Sequence, residues 1–205
     1  YLYPMSDGKS SLGFAHVRLS ILDLSPLGHQ PMESVDGRYV VTFNGEIYNF
    51  KELKSELEGF GYNFISNCDT AIIPAAFDKW GIDCAQKFNG LFAFAIFDKL
   101  NEKLTLIRDR LGVKPLYWYK NGDDFVFASE MKPIYLFPGL KKEINSNALG
   151  NFLSTQYITG PETILNDVYK LKPGCSLVWE KGDITITPYW SIIDAYNNGE
   201  NSRNN

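Results

Sequence analysis

Hydrophobic and polar positions fall along this chain in short runs whose period changes from stretch to stretch. Residues 13–21 set Phe14 against Ala15 in an apolar run that carries His16 and Arg18, and read as a strand. Residues 23–32, broken by Pro26, Gly28 and Pro31, read as a loop. Residues 39–43 are an apolar, β-branched strand that ends at Asn44-Gly45-Glu46. Phe50, Leu53 and Leu57 then recur at helical spacing, and Gly59 or Gly61 supplies the stop. A short strand is expected at 62–65, a helix at 70–80 with Pro74 in its early part, and a short helix at 83–88. Residues 91–97 are apolar at both parities, so that strand is expected to be buried on both faces, with 103–107 as its hairpin partner.

Further along, Asn121-Gly122 separates two aromatic runs, 116–119 and 125–128, as an ordinary hairpin turn does. A short helix is expected from Ser129, a longer one at 146–157, and a late hairpin of 176–180 with 184–187 about Lys181-Gly182-Asp183. Residues 1–11 are polar and irregular, and 197–205 form a polar tail expected to be disordered or to begin a linker. Consecutive strands, with helices clustered between the early ones, predict an α+β fold rather than regular βαβ alternation. The expected organisation is one domain over 1–190 and a tail or linker over 191–205.

Composition narrows the class. The chain has 205 residues, 44% of them hydrophobic and 15% aromatic, which suffices for one substantial core. Its formal net charge is -4 and its Lys and Arg form no cluster, which argues against nucleic acid as a partner. No apolar run reaches the length of a membrane span. Cys68, Cys84 and Cys175 are an odd number at wide spacings, giving neither a disulfide framework nor a zinc pattern, and a reducing cytoplasm fits them. The chain opens on Tyr1 and has its first Met at position 5, so the natural N-terminus is expected to lie upstream.

Four polar features interrupt the apolar background. Arg18 offers a planar fork suited to a carboxylate, and Glu46 and Asp69 suit an ammonium, so together they match an α-amino acid. An Asn side-chain amide followed by a Gly N–H, as at Asn44-Gly45, is an oxyanion hole of the kind acyl transfer needs. Each has a plainer reading. Asn-Gly is a common turn, Arg18 could pair with a surface acid, Asp69 could cap a helix, and Glu46 could be surface. His16 reads as a strand residue and His29 as a loop-packing residue, and no Gly-x-Ser-x-Gly elbow accompanies them. None of the cysteines has a neighbouring base or helix-start setting that marks a nucleophile. The residues alone support an α+β domain with an amino-acid site.

Read together, the motifs add more. His16-Val17-Arg18-Leu19-Ser20-Ile21, Gly28-His29-Gln30-Pro31-Met32, the 44–49 stretch, Cys68-Asp69-Thr70, Gly90-Leu91-Phe92-Ala93-Phe94-Ala95, the run Arg108-Asp109-Arg110-Leu111-Gly112-Val113-Lys114-Pro115-Leu116-Tyr117, Phe127-Ala128-Ser129-Glu130 and Lys172-Pro173-Gly174 follow in that order. The set resembles the class II glutamine amidotransferase domain of glutamine-dependent asparagine synthetases and their relatives, from about Gly13 to Trp190. The resemblance implies a four-layer αββα N-terminal nucleophile hydrolase fold with two stacked antiparallel sheets. It implies hydrolysis of glutamine to glutamate and ammonia. An N-terminal cysteine would be the nucleophile, its own α-amino group the base, and a glutamyl thioester the intermediate. Arg18 would hold the substrate carboxylate, Asn44 and Gly45 the oxyanion, and Glu46 and Asp69 the amino group.

The chain departs from the family pattern in three ways. The N-terminal cysteine, its leading strand and the Arg-Gly-Pro-Asp loop are absent, so these 205 residues by themselves are expected to be inactive. Ala71 stands where the family usually has a glutamate after Asp69-Thr70. The ATP-pyrophosphatase half with its Ser-Gly-Gly-x-Asp-Ser loop is also absent, and the Asn-rich tail falls where it would join. The resemblance therefore implies glutamine as ligand and a C-terminal synthetase domain as partner, with ATP and Mg in that domain and no cofactor in this one. A homodimer is compatible with it. The acceptor, aspartate or another such as a sugar, is left open. The alternatives are a non-catalytic relative that binds an amino acid or a partner, and a hydrolase of the same fold with an N-terminal Ser or Thr.

Overall fold

A computed structural model describes residues 1–17 and 28–203, with side chains as far as 197. Residues 2–4 and 11–13 form a small ribbon of β1 (Leu2–Pro4) and β2 (Ser11–Gly13). The main sheet is antiparallel and six-stranded. It contains β3 (Met32–Glu33), β4 (Tyr39–Ile47), β5 (Gly90–Asp98), β6 (Lys103–Arg108), β10 (Cys175–Glu180) and β11 (Asp183–Pro188), in the order β11-β10-β6-β5-β4-β3. A second antiparallel sheet, order β8-β7-β9, is built from β7 (Tyr117–Asn121), β8 (Asp124–Ala128) and β9 (Val168–Lys170). The helices are α1 (Phe50–Gly59), α2 (Ile72–Trp80), α3 (Cys84–Lys87), α4 (Met131–Tyr135), α5 (Ser146–Thr155) and α6 (Ile192–Arg203).

Strand parity explains the layering, because alternate side chains of a strand leave on opposite faces. Val41, Phe43 and Ile47 of β4, with Phe92, Phe94 and Ile96 of β5, pack against Leu53 and Leu57 of α1 and Ile72, Ile73 and Ala76 of α2. The intervening positions, Val40, Ala93, Ala95 and Phe97, face the other way and meet Trp118, Phe125 and Phe127 of the second sheet. That sheet's far face, with Tyr119, Val126 and Val168, packs on Ile134 of α4. The result is helices, sheet, sheet, helix, which is the four-layer αββα arrangement. β5 is buried on both faces, as its unbroken apolar run predicts.

Several expectations need correction. Of the 13–21 region only Gly13, the last residue of β2, is strand; residues 14–17 are not, and 18–21 lie outside the described residues. Residues 1–11 are not irregular, since they carry β1 and the turn into β2, where Asp7 accepts the N–H groups of Lys9 and Ser10. Residues 62–65 form no strand; Tyr62 and Phe64 lie against the α1–α2 core without a neighbouring strand to pair with. The helix expected at 70–80 opens with a 3-10 turn, Asp69–Ala71, before α2 begins. The helix expected at 146–157 ends at Thr155, because Gln156 turns left-handed. The polar tail is helical over Ile192–Arg203, with Ser191 placed to cap it through the Asp194 N–H, 3.4 Å away. No helix among the described residues is long and apolar enough to cross a membrane.

The charged connector after β6 is knotted around one buried carboxylate. Asp109 is 2% exposed. Its carboxylate accepts N–H groups from Leu111 (3.1 Å), Val113 (3.0 Å), Lys114 (2.9 Å) and Phe92 (3.3 Å). Arg108 donates to the carbonyls of Lys114, Leu171 and Gly112 at 2.6–2.7 Å. The knot ties β5, β6 and the chain entering β7 together. Asp109→Ala strips the acceptor from the buried Phe92 N–H and from three partly buried ones, so a stability loss on the order of 3–4 kcal/mol is expected, with Asp109→Asn losing less. Urea unfolding of the two variants beside the parent chain measures it.

Candidate active site

Asn44, Gly45 and Glu46 do not end their strand. They lie inside β4, opposite Ala93, Phe92 and Leu91 of β5. The Asn-Gly pair is therefore not a turn, and the residue that follows the turn rule is its counterpart Gly122, between β7 and β8. Gly45 has φ +151°, and a Cβ there would run into the Leu91 carbonyl oxygen and lie 2.7 Å from the Phe92 Cα. Only glycine allows the two backbones to come this close.

The register also fixes where the Gly45 N–H points. Phe92, directly opposite, gives its N–H to the Asp109 carboxylate and its carbonyl to the Asp109 N–H, both on the side away from β4. Gly45 and Phe92 are thus a non-hydrogen-bonded antiparallel pair, and the N–H of Gly45 faces the other edge of β4. That edge is covered by β3 only opposite Val40 and Val41. Beyond it, side chains replace a strand: the Phe43 N–H donates to Gln30 Oε1 at 2.7 Å, and the Ile47 N–H donates to Asp69 Oδ2 at 3.1 Å. Between these two, no acceptor among the described residues meets the Gly45 N–H.

The even-numbered side chains of β4 leave on the inter-sheet face. Thr42, Asn44 and Glu46 there help to line a cleft of roughly 910 Å³ that also contains His16, Gln30, Asp69, Thr70, Lys114 and Ser129. Asn44 Nδ2 donates to Ser129 Oγ at 3.3 Å, across to the end of the second sheet. His16 Nδ1 lies 3.1 Å from Thr42 Oγ1, so His16 is a cleft residue and not part of a strand. His29 is exposed, while Gln30 beside it is 5% exposed, so Gln30 and not His29 does the packing in that loop. A smaller cavity of about 250 Å³, lined by Tyr39, Tyr62, Phe64 and Asp78 among others, has none of the four candidate residues of β4 and Asp69 in its wall.

Asp69 is 6% exposed and does not cap α2, whose first residue follows Ala71. Its carboxylate instead bridges the Ile47 N–H and the Thr70 N–H. Burial pushes this carboxyl up from its ordinary value, the two N–H groups pull it back, and the nearby Glu46 charge pushes it up again. Two carboxylates at one end of a cleft favour a cationic group between them. Arg18 lies outside the described residues. Among the described residues no group of three or more His, Cys, Asp or Glu side chains could hold a metal ion. Cys68, Cys84 and Cys175 are all buried, and none lines the cleft. Burial also pushes the Cys84 and Cys175 thiols up, away from thiolate.

Two stacked antiparallel sheets between helices, with a cleft at the exposed edge of a central strand, define an N-terminal nucleophile hydrolase architecture. The chain belongs to the glutamine amidotransferase domain family, whose profile it matches over residues 6–190. It is 38% identical over 191 residues to the glutamine-hydrolysing asparagine synthetase 1 of Bacillus subtilis, a match that takes in 91% of this chain. It is 33% identical over 188 residues to asparagine synthetase 3 of the same organism, covering 90% of this chain. The chain spans 30% of the length of each of those relatives. Among solved structures it resembles glutamine phosphoribosylpyrophosphate amidotransferase of Bacillus subtilis, with TM-score 0.60 and 19% identity, covering 85% of this chain and 34% of that one. At that identity the likeness carries the fold alone.

Gly45→Ala tests the close approach independently of any activity. Backbone strain at positive φ and the clash with β5 are each worth about 1–3 kcal/mol, so a loss on the order of 2–6 kcal/mol is expected. Chemical denaturation of the folded chain measures it.

Proposed function

We propose that this chain is the glutaminase domain of an asparagine synthetase-like amidotransferase. It hydrolyses glutamine to glutamate and ammonia, and the ammonia serves ATP-dependent amidation of aspartate or a related acceptor by a synthetase domain that carries ATP and Mg. The observation that supports this best is the open edge of β4, where the Gly45 N–H lies between two N–H groups already satisfied by Gln30 and Asp69. With the Asn44 amide on the adjoining inter-sheet face, it supplies fixed donors for the oxyanion of acyl transfer. Asp69 and Glu46 take the substrate ammonium. Arg18 takes the substrate carboxylate, as the family resemblance implies.

In this reading a thiolate attacks the glutamine amide carbon, and the carbonyl electron pair moves onto oxygen, where Asn44 and Gly45 receive it. Collapse, with the α-amino group of the nucleophilic cysteine passing the proton it took from the thiol to the leaving nitrogen, expels ammonia and leaves a glutamyl thioester, which water cleaves to glutamate and free thiol. The thiolate belongs to the family's N-terminal cysteine. Cys68, Cys84 and Cys175 are buried away from the cleft and cannot fill the role. These 205 residues alone should therefore release no ammonia from glutamine above buffer; release would put one of those three thiols in the chemistry.

Asn44 is tested in the full gene product. Asn44→Asp keeps the shape, but it replaces a donor by a negative charge beside the forming oxyanion. A loss of roughly 100- to 1,000-fold in kcat is expected, with KM little changed. Steady-state glutaminase kinetics measure this, with a thermal melt as the folding control. A folded Asn44→Asp enzyme of near-normal kcat would remove Asn44 from the active site.

A further inference from the structure

Gln30 is the one buried side-chain amide among the described residues of the cleft wall that touches both halves of the proposed site. Its carbonyl oxygen accepts from the Phe43 N–H at 2.7 Å, immediately before Asn44. Its NH2 group donates to Thr70 Oγ1 at 3.3 Å, immediately after Asp69. The chemistry fixes this orientation: a backbone N–H can be met only by the amide oxygen, which turns the NH2 group to the threonine hydroxyl. Gln30 is 5% exposed and Thr70 3% exposed, so neither bond competes freely with water.

The two anchored backbones carry different functions. β4 at residue 43 leads directly into the donors at Asn44 and Gly45, and the 3-10 turn at Asp69–Ala71 carries the carboxylate for the ammonium. Asp69 itself is tied to β4 at Ile47, on the far side of Gly45. The 69–71 turn is therefore fastened to β4 at two points that straddle the oxyanion donor. The Asp69 tie involves a group that must also serve the substrate. The Gln30 tie does not.

We infer that Gln30, acting through Thr70, is a positioning residue: it sets the spacing between the ammonium-binding carboxylate and the oxyanion donors, and hence the placement of the glutamine amide against them. This rests on the glutaminase reading above. A glutamine molecule has a fixed length between its α-amino group and its side-chain amide. A shift of the 69–71 turn along β4 would seat the ammonium and displace the amide, and a displacement of about 1 Å can cost about 100-fold in rate.

The test uses the full gene product, with kcat and KM for glutamine hydrolysis and a thermal melt on each variant. Thr70→Val removes only the bond to the amide and keeps the shape. A fall of about tenfold in kcat/KM is expected with the melting midpoint lowered by only a few degrees, because the buried Gln30 NH2 loses its acceptor while the Phe43 bond survives. Thr70→Ser restores the hydroxyl and should recover the rate to within about threefold of the parent. Gln30→Met removes both bonds and should cost about 100-fold, and adding Thr70→Val to it should cost nothing further, since both act through one link. If Gln30→Met does not fold, the Val and Ser variants of Thr70 decide the matter alone. A folded Thr70→Val enzyme at the parent rate overturns the proposal. So does a Thr70→Ser enzyme as slow as Thr70→Val, which would make the site one of packing. An inactive parent enzyme is a different failure: it removes the glutaminase reading, and the positioning role with it.

Discussion

An antiparallel strand whose sheet partner stops short must find other acceptors for its N–H groups, and the site described above is built on that constraint. β4 runs nine residues, but β3 accompanies it for only two. The donors left over lie on an edge that no strand among the described residues covers. A buried N–H without an acceptor costs about 1–3 kcal/mol, so the gap is filled wherever the chain can reach it. Gln30 and Asp69 fill two places from two different loops. The place between them is left to whatever enters the cleft.

The rest of the structure serves to hold that strand still. The glycine at 45 brings β4 against β5, and the Asp109 knot claims both polar backbone groups of Phe92 on the far side, so the direction of the Gly45 N–H is set by residues that never face the cleft. The helical layer acts through Phe43 and Ile47, whose side chains are buried among α1 and α2. Placement of the Gly45 N–H thus begins with core packing on one face of β4 and ends at an edge where no acceptor among the described residues meets it. Asp69 shows the opposing demand. Its burial disfavours the charge that its proposed role requires, and two backbone N–H groups only partly offset this.

Much of the fold was legible because burial leaves a period in the sequence. The doubly apolar run at 91–97, the helical face of Phe50, Leu53 and Leu57, and the Asn121-Gly122 hairpin all appear as read. Tyr62 and Phe64 alternate as a strand would, but strand character needs a partner, and periodicity does not reveal one. Asn44-Gly45 carried the signal of a turn, since glycine is favoured wherever φ is positive. Here the same residue satisfies a close approach inside a strand, which only the pairing with Phe92 makes visible. The candidate residues Asn44, Gly45, Glu46 and Asp69 do come together at one cleft. Gln30 was missed because an amide beside a proline in a loop looks like solvent-facing polarity, and its two partners are 13 and 40 residues away in sequence.

The two walls of the cleft belong to parts of the molecule with unequal hold on the native state. The wall that carries Asn44, Gly45 and Asp69 is backed by the largest buried cluster among the described residues, spanning β4, β5, α1, α2 and α3. The wall that carries Ser129 belongs to a three-stranded sheet, held by the inter-sheet cluster of Trp118, Phe125 and Phe127 on one face and by the small cluster around Ile134 on the other. Local opening follows the weaker packing, so thermal fluctuation should part the cleft by moving the Ser129 side away from Asn44 while the donor strand stays in register. The looser side of the cleft then lies in the scaffold's lesser sheet, and amide exchange would be slow along β4 and faster along β7 and β8.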